Sequence, residues 1–292
     1  NTNAASQYGV WHGGGSRYLR VVPDTGSCTY TGASEGNGTC VTTSTSSSSA
    51  VRAQYNTTRW MRPDLERNNL FVFVNTELES GVEAYSEIGI YNSLATQQLY
   101  GGTTLGAGSC AKTGSCTQPL LVPLSNYWLN QLVDSDGNKL VGSSQITNGL
   151  GVFKARNRFD SPRGYDSHRT TVRLLQGFRG NMGNWDWDMG VLFSQAKSKQ
   201  NNTNRQSLTL LNEALALSTP DAYNPFCGPN CNDESPFTID IVRANTTSLY
   251  MMDFKASTGD LFELPAGSVG MLVGFEARKE SYQDKRDPRI NG

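Results

Sequence analysis

The sequence predicts an all-β protein, part of a large antiparallel transmembrane β-barrel with long extracellular loops. Three observations point there. Apolar and polar residues alternate with period two in several stretches. Those stretches run to about 11–14 residues, where strands of soluble sheets usually run nearer five or six. The connections between them are very unequal, short ones alternating with long polar ones.

Taken in order, "NLFVFVNTEL" (69–78) is apolar in both phases at its centre, and "VEAYSEIGIY" (82–91) sets Val82, Ala84, Ile88 and Ile90 against Glu83, Tyr85, Glu87 and Gly89. "TVRLLQGFRG" (171–180) opposes Val172, Leu174 and Phe178 to Arg173 and Arg179. In "GFRGNMGNWDWDMGVLFSQ" (177–195), Trp185, Trp187, Met189, Val191 and Phe193 share one parity, while Asp186, Asp188 and Ser194 hold the other. "SLYMMDFKA" (248–256) sets Tyr250, Met252 and Phe254 against Asp253 and Lys255. "SVGMLVGFEARKE" (268–280) sets Val269, Met271, Val273, Phe275 and Ala277 against Gly270, Gly274, Glu276, Arg278 and Glu280. One helix is expected, in "SLTLLNEALALS" (207–218), where Leu208, Leu211 and Leu215 fall near a 3.6-residue spacing.

A soluble sandwich also alternates apolar and polar faces. Strand length argues against it, since roughly 9–11 tilted residues cross a bilayer. So does the loop pattern: "ESG" (79–81) and "NMGN" (181–184) alternate with 94–167 and 198–245. If "GVFKARNRFD" (151–160) were a crossing strand, the long Cys227/Cys231 loop would fall on the periplasmic side; read as a strand or hairpin within the external loop, it leaves every long loop outside. Six crossing strands result, approximately 68–79, 82–93, 168–180, 185–197, 246–257 and 267–281, with turns at 79–81, 181–184 and 258–266 and external loops 1–67, 94–167, 198–245 and 282–292. The whole chain then reads as one segment of a single barrel domain.

This arrangement makes Trp185, Trp187, Val191, Phe193, Val273 and Phe275 lipid-facing, the two indoles at the interfacial level that tryptophan favours. It makes Glu83, Glu87, Arg173, Arg179, Asp186, Asp188, Asp253, Lys255, Glu276, Arg278 and Glu280 lumen-facing, a set of both signs that suits a hydrated interior. Most of them are expected to form structural ion pairs.

The chain has 292 residues, a net charge of -1 and 17% charged residues. That balance gives no electrostatic footprint for nucleic acid, which is excluded as a partner. No window approaches 18 uninterrupted apolar residues, and "NTNAASQYGV" has neither the basic nor the apolar part of a signal peptide, so the expectation is that an export signal was removed or that the chain is an internal piece. Six cysteines sit as neighbours in polar stretches: Cys28 with Cys40, Cys110 with Cys116, Cys227 with Cys231. Of fifteen connectivities the nearest-neighbour one fits loops that need pinning in an oxidising compartment. Closing Cys28 to Cys40 contributes about 3 kcal/mol in the chain-entropy model. Zinc is the rival reading, and it finds only His12 and His168 and no paired C-x-x-C knuckles.

No enzyme chemistry is expected, and no cofactor or metal. His168, in "RGYDSHRTT", reads as a rim residue and His12, in "GVWHGGGSRY", as a loop residue; neither accompanies a G-x-S-x-G turn. "GGGS" (13–16) lacks the Lys-Ser/Thr of a phosphate loop, and "STSSSS" (44–49) is polar linker. The loop aromatics Tyr30, Tyr55, Trp60, Tyr100, Trp128 and Tyr223 either stack on a sugar or order their loops.

Three stretches resemble the TonB-dependent outer-membrane receptors, the active importers of Gram-negative bacteria: "RTTVRLLQGFRGNMGNWDWDMGVLFSQ" (169–195), "NEALALSTPDAYNPF" (212–226) and "SLYMMDFKASTGDLFELPAGSVGMLVGFEARKESYQDKRDP" (248–288). The run "GDLFELPAG…GFEARKE" is similar to the turn and strand of that family's large-loop members, and 62–91 fits more loosely. The resemblance implies a 22-stranded barrel around a plug domain, energised through a TonB box. The plug domain is absent from this chain, as is the box, and six strands do not close, so the chain is expected to be the central part of a longer receptor. By the same resemblance the expected location is the bacterial outer membrane with extracellular loops, the partners the TonB energy-transducing system, outer-membrane lipid and a small nutrient ligand. The implied function is TonB-dependent import of a siderophore, cobalamin or oligosaccharide; the alternative is a surface adhesin or assembly subunit that binds another protein through its loops.

Overall fold

The computed structural model describes residues 2–3, 8–12, 18–34, 36–45, 51, 53–54, 58–103, 122–143, 146 and 158–290. They divide into two compact units, one of residues 1–62, 98–164 and 202–240, the other of 63–97, 165–201 and 241–292. Most of the expected strand or hairpin at 151–160, and the Cys110/Cys116 pair, lie outside the described residues.

The first unit, here the loop unit, is built from short pieces. β1 (Thr2–Asn3) pairs with β5 (Ala53–Gln54), and β2 (Val10–His12), β3 (Tyr18–Pro23) and β4 (Thr39–Ser44) form a three-stranded antiparallel sheet. Leu19 and Val21 alternate with Tyr18, Arg20 and Val22, so one face of β3 is buried, and Val21 is paired with Val41. A helix, α1 (Leu208–Ala216), forms where the leucine spacing predicts one. Ser207 caps it by accepting from the Leu210 amide at 3.4 Å, and Leu211 and Leu215, four apart, enter the core together. Trp11, Leu129, Phe159, Leu215, Phe226 and Phe237 are each almost wholly buried in that core. Burial of such a side chain contributes about 1.5–3 kcal/mol, enough for this unit to be a folded body where length and polarity alone predict loop.

The second unit is a single six-stranded sheet in sequence order: β6 (Asp64–Glu77), β7 (Glu83–Leu99), β8 (Arg163–Met182), β9 (Trp185–Gln206), β10 (Thr238–Leu264) and β11 (Gly267–Arg286). Each overlaps one expected segment and runs past it at one end or both, β10 to 27 residues and β9 to 22, while β6 stops at Glu77 and β7 starts at Glu83, just inside the expected 68–79 and 82–93. The boundaries between the units fall inside β7, β8, β9 and β10. β6 pairs antiparallel with β7 from Asp64↔Thr96 to Glu77↔Glu83, and β10 with β11 from Arg243↔Arg286 to Leu264↔Gly267. The β10–β11 hairpin differs from expectation. Instead of a turn over 258–266, β10 passes through an irregularity between Thr258 and Phe262 and continues, because Phe262, Glu263 and Leu264 find partners in Val269, Ser268 and Gly267.

Three hairpins close in a few residues, and each has a glycine with positive φ: Gly81 (+76°), Gly183 (+61°) and Gly267 (+129°), a conformation that other L-residues adopt at a cost. The other two connections, 100–162 and 207–237, are long and belong mostly to the loop unit. Among the described residues every buried hydrophobic side chain lies in the loop unit. The large sheet has none. Its only buried residues are Ser93, Ser167, Gly177, Gly190 and Thr258, none of which brings a large apolar side chain.

Candidate functional site

The two faces of the sheet differ in chemistry, and the register sets them. On one face Leu70 pairs with Ile90 and Val72 with Ile88; on the other Phe73 pairs with Glu87, Asn75 with Tyr85 and Glu77 with Glu83. Across β10 and β11, Phe254 pairs with Phe275 and Ala256 with Val273 on one face, while Asp253 pairs with Glu276 and Met251 with Arg278 on the other.

Side-chain bonds carry the polar face from strand to strand. Arg179 grips Glu83 with two bonds, Nε to Oε2 and Nη2 to Oε1, both 2.6 Å. Arg173 pairs with Glu87 through a single bond, Nη1 to Oε2, across β7 and β8. The Tyr85 hydroxyl donates to Asp188 Oδ1 at 2.8 Å, and Lys255 Nζ stands 3.5 Å from Asp188 Oδ2, so one carboxylate ties β7 to β9 and β9 to β10. The Asn181 amide donates to Asp186, and Arg278 lies 3.8 Å from both Glu276 and Glu280. All eleven charged residues of the alternation, Glu83, Glu87, Arg173, Arg179, Asp186, Asp188, Asp253, Lys255, Glu276, Arg278 and Glu280, therefore hold the parity of this network. Tyr85 reaches across β8 only because Gly177 is there: a Cβ at that position would lie 2.0 Å from Tyr85 Cζ. The concavity over the turn-proximal part of this face encloses about 850 Å³, lined by Asn75, Glu77, Arg179, Asp186, Asp188 and Lys255.

The opposite parity holds Trp185, Trp187, Val191, Phe193, Val273 and Phe275. Val191 is 55% exposed and Phe275 58%, with Val273 exposed beside them. Phe193 packs its ring 5.0 Å from that of Tyr250 on β10, and Trp187 covers Gly180 of β8.

Toward the ends of β10 and β11 remote from their turn, Asp284 accepts two bonds from Arg243, at 2.9 and 2.8 Å, and one from Arg286 at 2.9 Å. Those guanidiniums hold its carboxyl at about 2.

In the loop unit the staples Cys28–Cys40 and Cys227–Cys231 are formed as the neighbouring spacing predicts. They are also joined to each other. Asn37 Nδ2 donates to the carbonyls of Cys227 and Pro229 at 2.9 and 2.7 Å, Thr39 Oγ1 to that of Phe226 at 3.3 Å, and Asn224 Nδ2 to that of Ala33 at 2.8 Å. Asn126, wholly buried, donates to the carbonyls of Leu215 and Tyr223 and accepts from the Leu129 amide. Of the loop aromatics, Tyr30, Trp128 and Tyr223 are buried in the core and order their loops; Trp60 is exposed and Tyr55 lies outside the described residues. His168 is exposed on β8.

Sequence reasoning passed over a group of arginines in this unit. Arg59 and Arg158 stand over the Tyr100 ring, and Arg163 Nε donates to the Tyr100 carbonyl at 3.3 Å. Burial, together with the like charges of Arg205 and Arg158, depresses the Arg163 pKa. Positions 59, 100, 158 and 163 are related by no period, so the sequence does not signal the group. Compared with models of protein families, with curated proteins and with solved structures, the chain matches none.

Proposed function

We propose that the six long strands form part of the wall of an outer-membrane β-barrel and that the protein serves TonB-dependent import of a scarce nutrient: a siderophore, cobalamin or an oligosaccharide. One observation carries the first half. A sheet of six strands, with no apolar core among its described residues, exposes Leu70, Val72, Val191, Phe254 and Phe275 on one face and a lattice of ion pairs on the other. In water such an apolar face is a liability; against hydrocarbon it is the stable arrangement, with the charges facing a wet interior. The uneven connections support the same reading, three tight turns alternating with two long connections that belong mostly to the loop unit. The importer half rests on the resemblance of 169–195, 212–226 and 248–288. The test is uptake by source cells with and without TonB: loss of nutrient-limited growth in both the receptor deletion and the TonB deletion is expected, and uptake independent of TonB rejects importer function. Release of the protein into buffer without detergent rejects the membrane reading itself.

The loop unit favours a second reading, since a stapled body with its own core can hold another protein. In that case cross-linking on intact cells from positions beside Cys227 and Cys231 captures a protein neighbour; its absence rejects the adhesin.

A further inference from the structure

The polar face of the large sheet changes character along its strands. Near the tight turns its cations are matched, Arg179 with Glu83, Arg173 with Glu87 and Lys255 with Asp188. Farther from the turns, the positions of the same parity within 65–71, 89–97, 165–171, 192–200 and 243–251 include no Asp or Glu. They do include Arg67, Arg169 and Arg243, of which Arg243 is engaged by Asp284. A concavity of about 370 Å³ lies in this band, lined by Tyr91 of β7, Arg169 and Thr171 of β8, Ser198 of β9, and Asn245 and Thr247 of β10.

Most of these groups are unengaged. The exposed Arg169 guanidinium and the hydroxyls of Tyr91, Thr171 and Ser198 make no hydrogen bond or ion pair among the described residues. The Thr247 hydroxyl donates to the Ala196 carbonyl at 3.4 Å and keeps its acceptor capacity. Asn245 donates its side-chain amide to Asp284 and to the Ala244 carbonyl, so its oxygen also stays an acceptor. Asp284, the carboxylate beside Asn245 in the register, is already balanced by Arg243 and Arg286. Lys197 joins the lining as a second cation. The cavity therefore offers positive charge and hydroxyls, and no anion of its own answers Arg169.

We propose that this concavity binds a uronic-acid unit of an acidic oligosaccharide, Arg169 holding the carboxylate and Tyr91, Thr171, Ser198, Asn245 and Thr247 the ring hydroxyls. A planar guanidinium matches a carboxylate with paired bonds, and protein hydroxyls, which both donate and accept, match sugar hydroxyls that do the same. Sites for most small molecules span about 300–1,000 Å³ and are walled chiefly by apolar side chains. This one is at the small end, and only Ala196 in its lining is wholly apolar, so its ligand is itself dense in polar groups. As cargo, an acidic oligosaccharide narrows the importer reading to one substrate class and rests on it; as a binding site it does not.

The test is calorimetric titration of the full chain in detergent with trimers of galacturonate and of mannuronate, with their methyl esters, and with citrate. At least one uronate trimer is expected to bind, and its ester, which lacks the charge, at least about tenfold more weakly, as loss of a charge-assisted contact requires. R169Q is expected to bind acid and ester alike while keeping the wild-type Tm, because Arg169 is exposed and holds no ion pair. T171V weakens acid and ester together, as loss of a hydroxyl contact requires, and K279Q, which removes a cation elsewhere, binds like wild type. Binding of neither trimer, equal binding of acid and ester by wild type, or acid binding unchanged in R169Q overturns the site. So does a lower Tm of R169Q with unchanged binding, which marks a structural arginine paired with a carboxylate elsewhere in the protein. R169Q-sensitive binding of citrate alone overturns the sugar, since a carboxylate then suffices. R169Q-sensitive uronate binding in a protein whose uptake ignores TonB rejects the importer and not the site; TonB-dependent uptake with no R169Q-sensitive binding does the reverse.

Discussion

Gly177 has no room for a side chain, and that single absence lets Tyr85 cross β8 to reach Asp188 on β9. G177A is expected to lower stability by about 1–3 kcal/mol, the range for overpacking. Urea titration of the folded protein measures it, and the double variant G177A/Y85A should recover most of the loss, because the two residues act through one contact. Charge at the sheet's far edge predicts a pH dependence. The Asp284 carboxyl is held at about 2 by Arg243 and Arg286, below its ordinary value of 3.8. Its ionised form is therefore the one the fold stabilises: the contribution is complete above pH 3.8, declines as the pH falls through that value, and is gone below about 2. Melting curves across that window are expected to fall more steeply for wild type than for D284N. Exposed ion pairs of the Arg278 kind contribute little by comparison, within about 0–1 kcal/mol.

Elements differ in how far their own residues announce them. The long strands are legible because alternation is repeated over ten or more positions, as in Trp185 to Phe193, and a slip of one residue would invert every side chain. The helix at Leu208–Ala216 is legible from three leucines, and S207A, which removes its cap, should cost about 1 kcal/mol in thermal unfolding. β2 to β4 are not legible in this way: three to six residues set among Gly, Ser and Thr are too few to define a period. What holds them is contact with distant chain, such as the Trp11 indole donating to the Pro225 carbonyl at 3.1 Å. Asn126 does similar work between loops, and N126A is expected to cost about 1–3 kcal/mol by leaving buried carbonyls without their donor. Proteolysis should then cut first within the loop unit.

On the scale of the whole molecule, the apolar core and the long sheet belong to different units, and they call for different surroundings. The loop unit buries its own large side chains; the sheet exposes Val191, Phe254 and Phe275. If hydrocarbon covers that face, V191R is expected to cost about 2–4 kcal/mol and to deplete folded protein from the outer membrane, seen as loss of the heat-modifiable band on gels. E276Q, on the opposite parity and half exposed, should change stability by no more than about 0.5 kcal/mol. Equal sensitivity of the two positions would reject a lipid-facing side.

By itself the sequence determined the two phases of each long strand and the neighbouring cysteine pairs Cys28–Cys40 and Cys227–Cys231, because both are local: alternation is a property of adjacent residues, and a short disulfide closes a short loop. The tertiary structure alone decided that 1–62, 98–164 and 202–240 share one core, and that Arg59, Arg158 and Arg163 meet around Tyr100. Those contacts join residues from 63 to as many as 214 positions apart, or fewer at Arg59 and Arg158, and shape and burial select them, with no period along the chain to give them away.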